Sequence, residues 1–368
     1  MYIMLNVLYY ILVLEGNQIF LYTRIIQILG ALLFFNELRC LIYFKQYISA
    51  ENIFINLMIL FLGALFVGFF HGQFLNVLIL VNFLGFYGFG LFFSRRVSEL
   101  KYLKYIFFSV SLLFIYYFLT GKPPTYWSTH SQNHVSILIL ALLCFYYLGN
   151  YSKKPNSIYI LPSLLALLVS ILALGRSGII TSSVIILGIV VLNLFRKSYY
   201  DFTKLVPIIF LFVILTLANN SDYKYIIFNR FYSENIISEG RDFVISYWLQ
   251  EMSHLKSFFF GVDLSYLKNS YNLSSHNSYI STHSKFGIFS LLLIIQYVLT
   301  IKKLLITNHF LLLLLIAVSI RSITDNILFA NTFLFGAIFY SIYFMSLRIH
   351  SREIFDRKTI GPMNSYYH

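Results

Sequence analysis

The chain has 368 residues, of which 59% are hydrophobic and only 11% are charged, and its formal net charge is +13. Soluble domains have about 25% charged residues, so this composition excludes an ordinary soluble globular protein. The positive charges lie in short segments between apolar runs, a pattern that orients membrane helices and does not indicate a nucleic-acid partner. We therefore predict an all-α, polytopic membrane protein.

Apolar runs follow one another along the whole chain, and many are long enough to cross a bilayer. We predict about twelve transmembrane helices, at residues 2–14, 18–35, 53–70, 74–93, 105–120, 135–149, 158–175, 178–194, 205–218, 285–301, 304–320 and 326–347. In this layout the basic segments that contain Arg95, Lys153, Arg196, Lys302 and Arg348 all fall on one face. The positive-inside rule makes that face cytoplasmic, together with both termini.

The opposite, outer face receives one long polar segment, residues 219–283, which is too long for a simple connector. We predict a single membrane domain over residues 1–368, with this segment inserted between two transmembrane helices.

An arginine stands between two predicted spans in the sequence LALGRSGII, residues 172–180. Arg176 could reach the lipid headgroups with its long side chain, as arginines near helix ends often do. It could instead bind an anion, because Gly175 and Gly178 would let a ligand approach the backbone and the next helix would offer its N–H groups. Both interpretations remain open from the residues.

The outer segment contains the sequence EGRDFVISYWLQEM, residues 239–252, and its apolar residues recur at helical spacing. We predict an amphipathic helix from the stripe that is formed by Val244, Tyr247, Trp248 and Leu255. Arg241 lies near the start of this stripe, where a cation should have a partner. That partner could be an acidic neighbour in the same helix or an anionic ligand.

The sequence SSHNSYISTHSKFG, residues 274–287, places two histidines just before an apolar run. His276 and His283 could be solvated loop residues, or one of them could act as a base near neutral pH. Asn277 could orient His276 or bind a sugar hydroxyl. Nearer the C-terminus, Asp325 could orient a histidine, neutralise an arginine, or form an ordinary salt bridge with Arg321.

Taken in order, the RSG turn at Arg176, the GR-x6-W sequence from Arg241 to Trp248, and the HN-x-Y-I sequence at His276 resemble the O-antigen polymerase and O-antigen ligase superfamily. The resemblance is strongest over residues 172–292. It implies a GT-C-like membrane glycosyltransferase in the bacterial inner membrane, with a large periplasmic loop. The implied donor is a glycan on undecaprenyl pyrophosphate.

The resemblance also implies roles for individual residues. Arg176 and Arg241 would bind the pyrophosphate, and His276 would activate or orient the acceptor hydroxyl. Asn277, Asp325, Trp248 and His283 would be supporting residues, although His283 has no counterpart in the family pattern. The outer segment has arginines but no DxD sequence. We therefore expect inverting transfer without a metal ion or other cofactor, because guanidinium groups can neutralise the leaving pyrophosphate.

Three functions remain candidates. An O-antigen polymerase would join lipid-linked repeat units, with a chain-length regulator as a further partner, and we favour this function. An O-antigen ligase would move the glycan to lipid A-core. A transporter of lipid-linked oligosaccharides would need polar residues deep in several spans, and most predicted spans have none.

Overall fold

In the computed structural model, the described residues are 5, 20–44, 50–72, 79–96, 102–120, 133–151, 158–173, 175–195, 239–271, 273, 277–325, 327–328 and 333–359. All regular secondary structure in these ranges is helical, which confirms the all-α class. The predicted spans 2–14 and 205–218 lie outside the described residues, apart from Leu5.

The helices of the described ranges follow the predicted apolar runs. They are α1 (Phe20–Phe44), α2 (Ala50–His71), α3 (Ile79–Arg95), α4 (Leu103–Leu119), α5 (Asn133–Tyr151), α6 (Leu161–Leu172), α7 (Arg176–Phe195), α8 (Glu239–Met252), α9 (Leu255–Phe260), α10 (Ser265–Tyr271), α11 (Ser278–Phe286), α12 (Leu291–Thr307), α13 (His309–Thr324) and α14 (Phe333–Thr359). A 3-10 turn, Gly287–Ser290, joins α11 to α12.

Within the described ranges, four helical stretches are long and apolar enough to cross a membrane: Thr23–Tyr43, Ala50–His71, Arg176–Phe195 and Ser278–Thr307. Shorter apolar helices accompany them, and together they have the character of a multi-pass membrane protein. One predicted span, 158–175, is wrong in length, because α6 has 12 residues. A helix of that length rises about 18 Å, well short of a hydrocarbon core about 30 Å thick.

The outer segment forms a helix as predicted, α8, and Val244 is buried on one of its faces. The helix is not amphipathic, because the apolar side chains of Phe243, Ile245 and Leu249 are 43%, 39% and 58% exposed. Its predicted apolar stripe is wrong at the far end. The helix ends at Met252, and Leu255 begins α9 with a side chain that is 76% exposed. The stripe ends because the chain turns between the two helices.

Helix packing brings together segments that were predicted to share one face. A guanidinium nitrogen of Arg348, near the end of α14, donates to the backbone oxygens of Ser94 and Arg95 at the end of α3. The Asn193 carboxamide near the end of α7 pairs with the backbone N–H and C=O of Ile158, at 3.1 and 2.8 Å. The assignment of this face to the cytoplasm stays a prediction.

Candidate functional site

At the opposite ends of these helices, α7 begins directly at Arg176, and its first turn packs against α5. A Cβ added to Gly175 would lie 2.6 Å from Ser136 Oγ, and one added to Gly178 would lie 2.5 Å from Ser136 Cβ. These glycines therefore permit close helix packing at this point, an explanation that differs from the predicted approach of a ligand to the backbone. The Arg176 side chain is half-buried.

A buried ion pair lies beside this turn, at the end of α13. Arg321 is fully buried, and its Nε lies 2.9 Å from Asp325 Oδ2. Its two terminal nitrogens donate to Ser177 Oγ and, at 3.4 Å, to Ser136 Oγ. The guanidinium of Arg321 thus contacts three protein groups. Asp325 forms the salt bridge with Arg321 that was one of its predicted roles.

The start of α11 is fixed by Asn277, the residue that follows His276. The Asn277 Oδ1 atom accepts hydrogen bonds from the backbone N–H groups of Tyr279, at 2.9 Å, and Ile280, at 3.2 Å. This is the N-cap geometry that asparagine favours. Helical structure therefore begins at Ser278, inside the segment predicted as a loop to residue 283. His276 itself lies outside the described residues.

Ser278 joins this helix start to the chain after the ion pair. Its hydroxyl donates to the backbone oxygen of Asp325 at 2.8 Å. It also accepts from the N–H groups of Ile327 and Leu328, at 2.8 and 2.9 Å. Because Ser278 is fully buried, this hydroxyl satisfies backbone groups that water cannot reach. The start of α11 is therefore held against Asp325, Ile327 and Leu328.

Arg241 approaches the same ion pair from the outer segment. It lies in the first turn of α8 and is half-buried, and its positive charge acts on the Arg321 guanidinium. Arg241 is thus near enough to Arg321 for their charges to interact, and Ser177, the residue after Arg176, contacts Arg321 directly. The helix that begins after His276 meets the same pair through Ser278.

The predicted supporting residues Trp248 and His283 contact each other directly. Trp248 Nε1 donates to His283 Nδ1 at 3.3 Å, and the two rings meet edge to face with centroids 5.6 Å apart. The other ring nitrogen of His283, Nε2, lies 3.1 Å from the backbone oxygen of Phe258. Beside this contact, burial raises the pKa of the Tyr247 phenol, and the nearby carboxylates of Glu251 and Asp263 raise it further.

A cavity of about 500 Å³ lies between α8, α11 and α12. Its walls are mainly apolar and include Ile245, Met252, Ile280, Leu293 and Ile294. Asn277, Trp248 and His283 also line it. The volume falls within the range of about 300–1,000 Å³ that is typical of small-molecule sites, and apolar walls suit a hydrocarbon ligand.

Several residues of this region were missed from the sequence. The sequence predicts no role for Ser177 or Ser278, although both belong to the quoted motifs. It predicts none for Ser136 either, which lies in an apolar run. From the sequence, Arg321 is predicted only as a possible salt-bridge partner of Asp325. The spacing of four residues between Arg321 and Asp325 at a helix end could have indicated the ion pair. The serine contacts depend on tertiary packing and have no such signal.

Among the residues that the structure describes, no group of three or more His, Cys, Asp or Glu side chains could hold a metal ion. Metal-independent transfer stays a prediction. No known protein family, curated protein or solved structure matches the chain. The resemblance to O-antigen polymerases and ligases therefore stays a prediction from the short sequence motifs.

Proposed function

We propose that the protein is a glycosyltransferase whose donor is a glycan linked to a polyprenyl diphosphate, and that it acts at the outer face of the bacterial inner membrane. Within this class we propose an O-antigen polymerase with about twelve spans and a GT-C-like architecture. The observation that carries the proposal is a pair of arginines at one end of the helix bundle, where an apolar cavity also opens.

The charge of the site suits a diphosphate. Asp325 neutralises Arg321, because the two groups form a buried ion pair. Arg176 and Arg241 add two further positive charges to this region, since Arg176 directly precedes Ser177, which contacts Arg321, and the charge of Arg241 acts on Arg321. A guanidinium binds phosphate oxygens through two parallel N–H groups and stays charged at any working pH. We therefore propose that Arg176 and Arg241 bind the diphosphate of the donor.

The apolar cavity suits the hydrocarbon part of the same donor. Leu291 and Ile294, which line it, are 46% and 49% exposed. They lie on α12, which belongs to a stretch long enough to cross a membrane. A polyprenyl chain could therefore pass from the lipid into the cavity without crossing a polar surface. Its diphosphate would then lie at the level of Asn277, where α11 begins.

The proposed reaction begins at His276, which directly precedes the Asn277 cap in the sequence. His276 accepts the proton of an acceptor hydroxyl, whose oxygen forms a bond to the anomeric carbon of the donor sugar. The bond between that carbon and the diphosphate oxygen breaks on the opposite face, so the configuration inverts. Polyprenyl diphosphate leaves with its negative charge balanced by Arg176 and Arg241. Asp325 is paired with Arg321, so the proposal assigns the proton transfer to His276.

The test is the surface glycan of the native host, separated on a gel, after His276→Ala. A polymerase variant would lose the ladder and retain one repeat unit on the core. A ligase variant would lose all glycan from the core and leave polymer on the lipid carrier. An unchanged ladder would refute the role of His276. His254→Ala is the matched control, because His254 is an exposed histidine of the same outer segment.

A further inference from the structure

We propose that His283 is a positioning residue, whose neutral imidazole joins α8 and α9 to α11 and so holds Arg241 at the diphosphate site. Its effect on transfer rests on the proposed function, whereas its effect on α8 does not. His283 stands outside the motif resemblance, and the inference comes from its contacts alone. We refer to Trp248, His283 and the Phe258 carbonyl as the His283 bridge.

The two partners determine the protonation state of the ring. An indole N–H can only donate, so His283 Nδ1 must accept the hydrogen bond from Trp248. A backbone oxygen can only accept, so Nε2 must carry the proton that is donated to Phe258. Both contacts are satisfied together only by the neutral tautomer with its proton on Nε2. His283 is only 9% exposed, and a ring that is held at both nitrogens has a fixed orientation.

The backbone beside the bridge is packed closely enough to make α9 part of the same unit. Gly261, with φ +82°, would place an added Cβ 2.6 Å from the His283 oxygen. Gly287, with φ +54°, would place one 2.2 Å from the Phe259 oxygen. Only glycine combines these backbone angles with such close approach. At the end of α2, the Nε2 atom of His71 also lies 3.0 Å from the Gly261 oxygen.

The His283 bridge determines which way the Arg241 side of α8 faces. Trp248 follows Arg241 by seven residues, so the two side chains lie on the same face, about two helical turns apart. Fixing the Trp248 indole against His283 therefore fixes the rotation of α8 about its axis. The Arg241 side chain is then held on the same face of α8 as Trp248, near enough to Arg321 for their charges to interact.

Tryptophan fluorescence tests the His283 bridge and does not require an assay of glycan transfer. The chain has two tryptophans, Trp127 and Trp248, so Trp127→Phe leaves Trp248 as the only reporter. In that background His283→Asn keeps an acceptor near the position of Nδ1, whereas His283→Leu has a similar shape and no acceptor. In the Leu variant we expect acrylamide quenching of Trp248 to rise about twofold, because α8 separates locally from α11. In the Asn variant we expect the quenching to change little.

Equal quenching in the Asn, Leu and unsubstituted proteins would overturn the bridge. Trp248→Phe gives a second measurement, because it removes the indole N–H while it keeps an aromatic ring. It should release α8 as His283→Leu does. A thiol-directed spin label at Asp242→Cys, an exposed position, with Cys40→Ser and Cys144→Ala in the background, would report this as increased mobility. Unchanged label mobility would also count against the bridge. Far-UV circular dichroism of each variant shows whether the protein remains folded.

Kinetics then test whether the bridge positions Arg241. His283→Leu should lower kcat/KM about tenfold, the ratio that corresponds to one lost hydrogen bond, and His283→Asn should restore much of it. Arg241→Lys should cost less in the His283→Leu background than in the wild type, because the arginine is already misplaced. Strictly additive losses would contradict positioning. If the wild type transferred no glycan, the proposed function would fail while the fluorescence result still decided the bridge.

Discussion

Removing Asp325 should strongly destabilise the protein, because its carboxylate is the counter-charge of a buried arginine. Arg321 is 0% exposed and Asp325 is 7% exposed, so Asp325→Ala would leave a guanidinium buried without its counter-charge. Breaking a buried ion pair in this way costs about 3–5 kcal/mol of the free energy of unfolding. The hydrogen bonds from Arg321 to Ser177 and Ser136 cannot replace a charge, because both partners are neutral hydroxyls.

The double variant Arg321→Met with Asp325→Ala separates the ion pair from simple packing. It leaves no buried charge, so most of the loss should be recovered. A remainder of about 1 kcal/mol is expected for the two serine hydroxyls that lose their donor. Asp242→Ala is the control, because Asp242 is exposed on α8 and such a change should alter stability by less than about 0.5 kcal/mol.

The assay is equilibrium unfolding in mixed detergent micelles, followed by far-UV circular dichroism. The reasoning predicts that Asp325→Ala is much less stable than the double variant. If Asp325→Ala cost less than about 1 kcal/mol, the pair would be solvated and worth no more than a surface salt bridge. If the double variant were as unstable as the single one, packing rather than charge would explain the loss.

Three further predictions address the site. Arg176→Lys and Arg241→Lys should each lower kcat about 100-fold in a transfer assay, because an ammonium cannot reproduce the guanidinium fork, and full activity in either would exclude bidentate binding. Ser278→Ala should lower the free energy of unfolding by about 1–3 kcal/mol, because the buried N–H groups of Ile327 and Leu328 lose their acceptor; wild-type stability would show that water replaces the hydroxyl. Transfer should continue in excess chelator, and its loss there would contradict a metal-independent reaction.

The helical class and the positions of most helices along the chain could be predicted from the sequence. Segments that lie in lipid must be apolar, so apolar runs indicate where the helices are. The same signal does not give helix length where two helices meet end to end. The apolar run at 158–175 continues almost to Arg176, whereas α6 ends at Leu172. The chain leaves the helix there, and the Gly175 N–H donates to the Ser170 oxygen at 3.0 Å; hydropathy does not report such a backbone turn.

The candidate site was accessible from the sequence only where a charge stood in an unusual place. Arg176 and Arg241 could be identified because a cation near lipid or in an apolar stripe needs a partner. The Ser278 contacts could not be identified, since its hydroxyl meets a carbonyl 47 residues away. Likewise, the meeting of Trp248 with His283 depends on how α8 folds over α11. Short polar side chains reveal such partners only in three dimensions.

The most direct test of the central claim compares the binding of three ligands with the same polyprenyl chain: the diphosphate, the monophosphate and the alcohol. Their dissociation constants for the purified protein in nanodiscs can be measured by microscale thermophoresis. The account predicts that the diphosphate binds most tightly, and that Arg176→Lys and Arg241→Lys remove most of its advantage. Equal affinity for all three ligands would contradict a diphosphate site at these arginines, whatever the cavity binds.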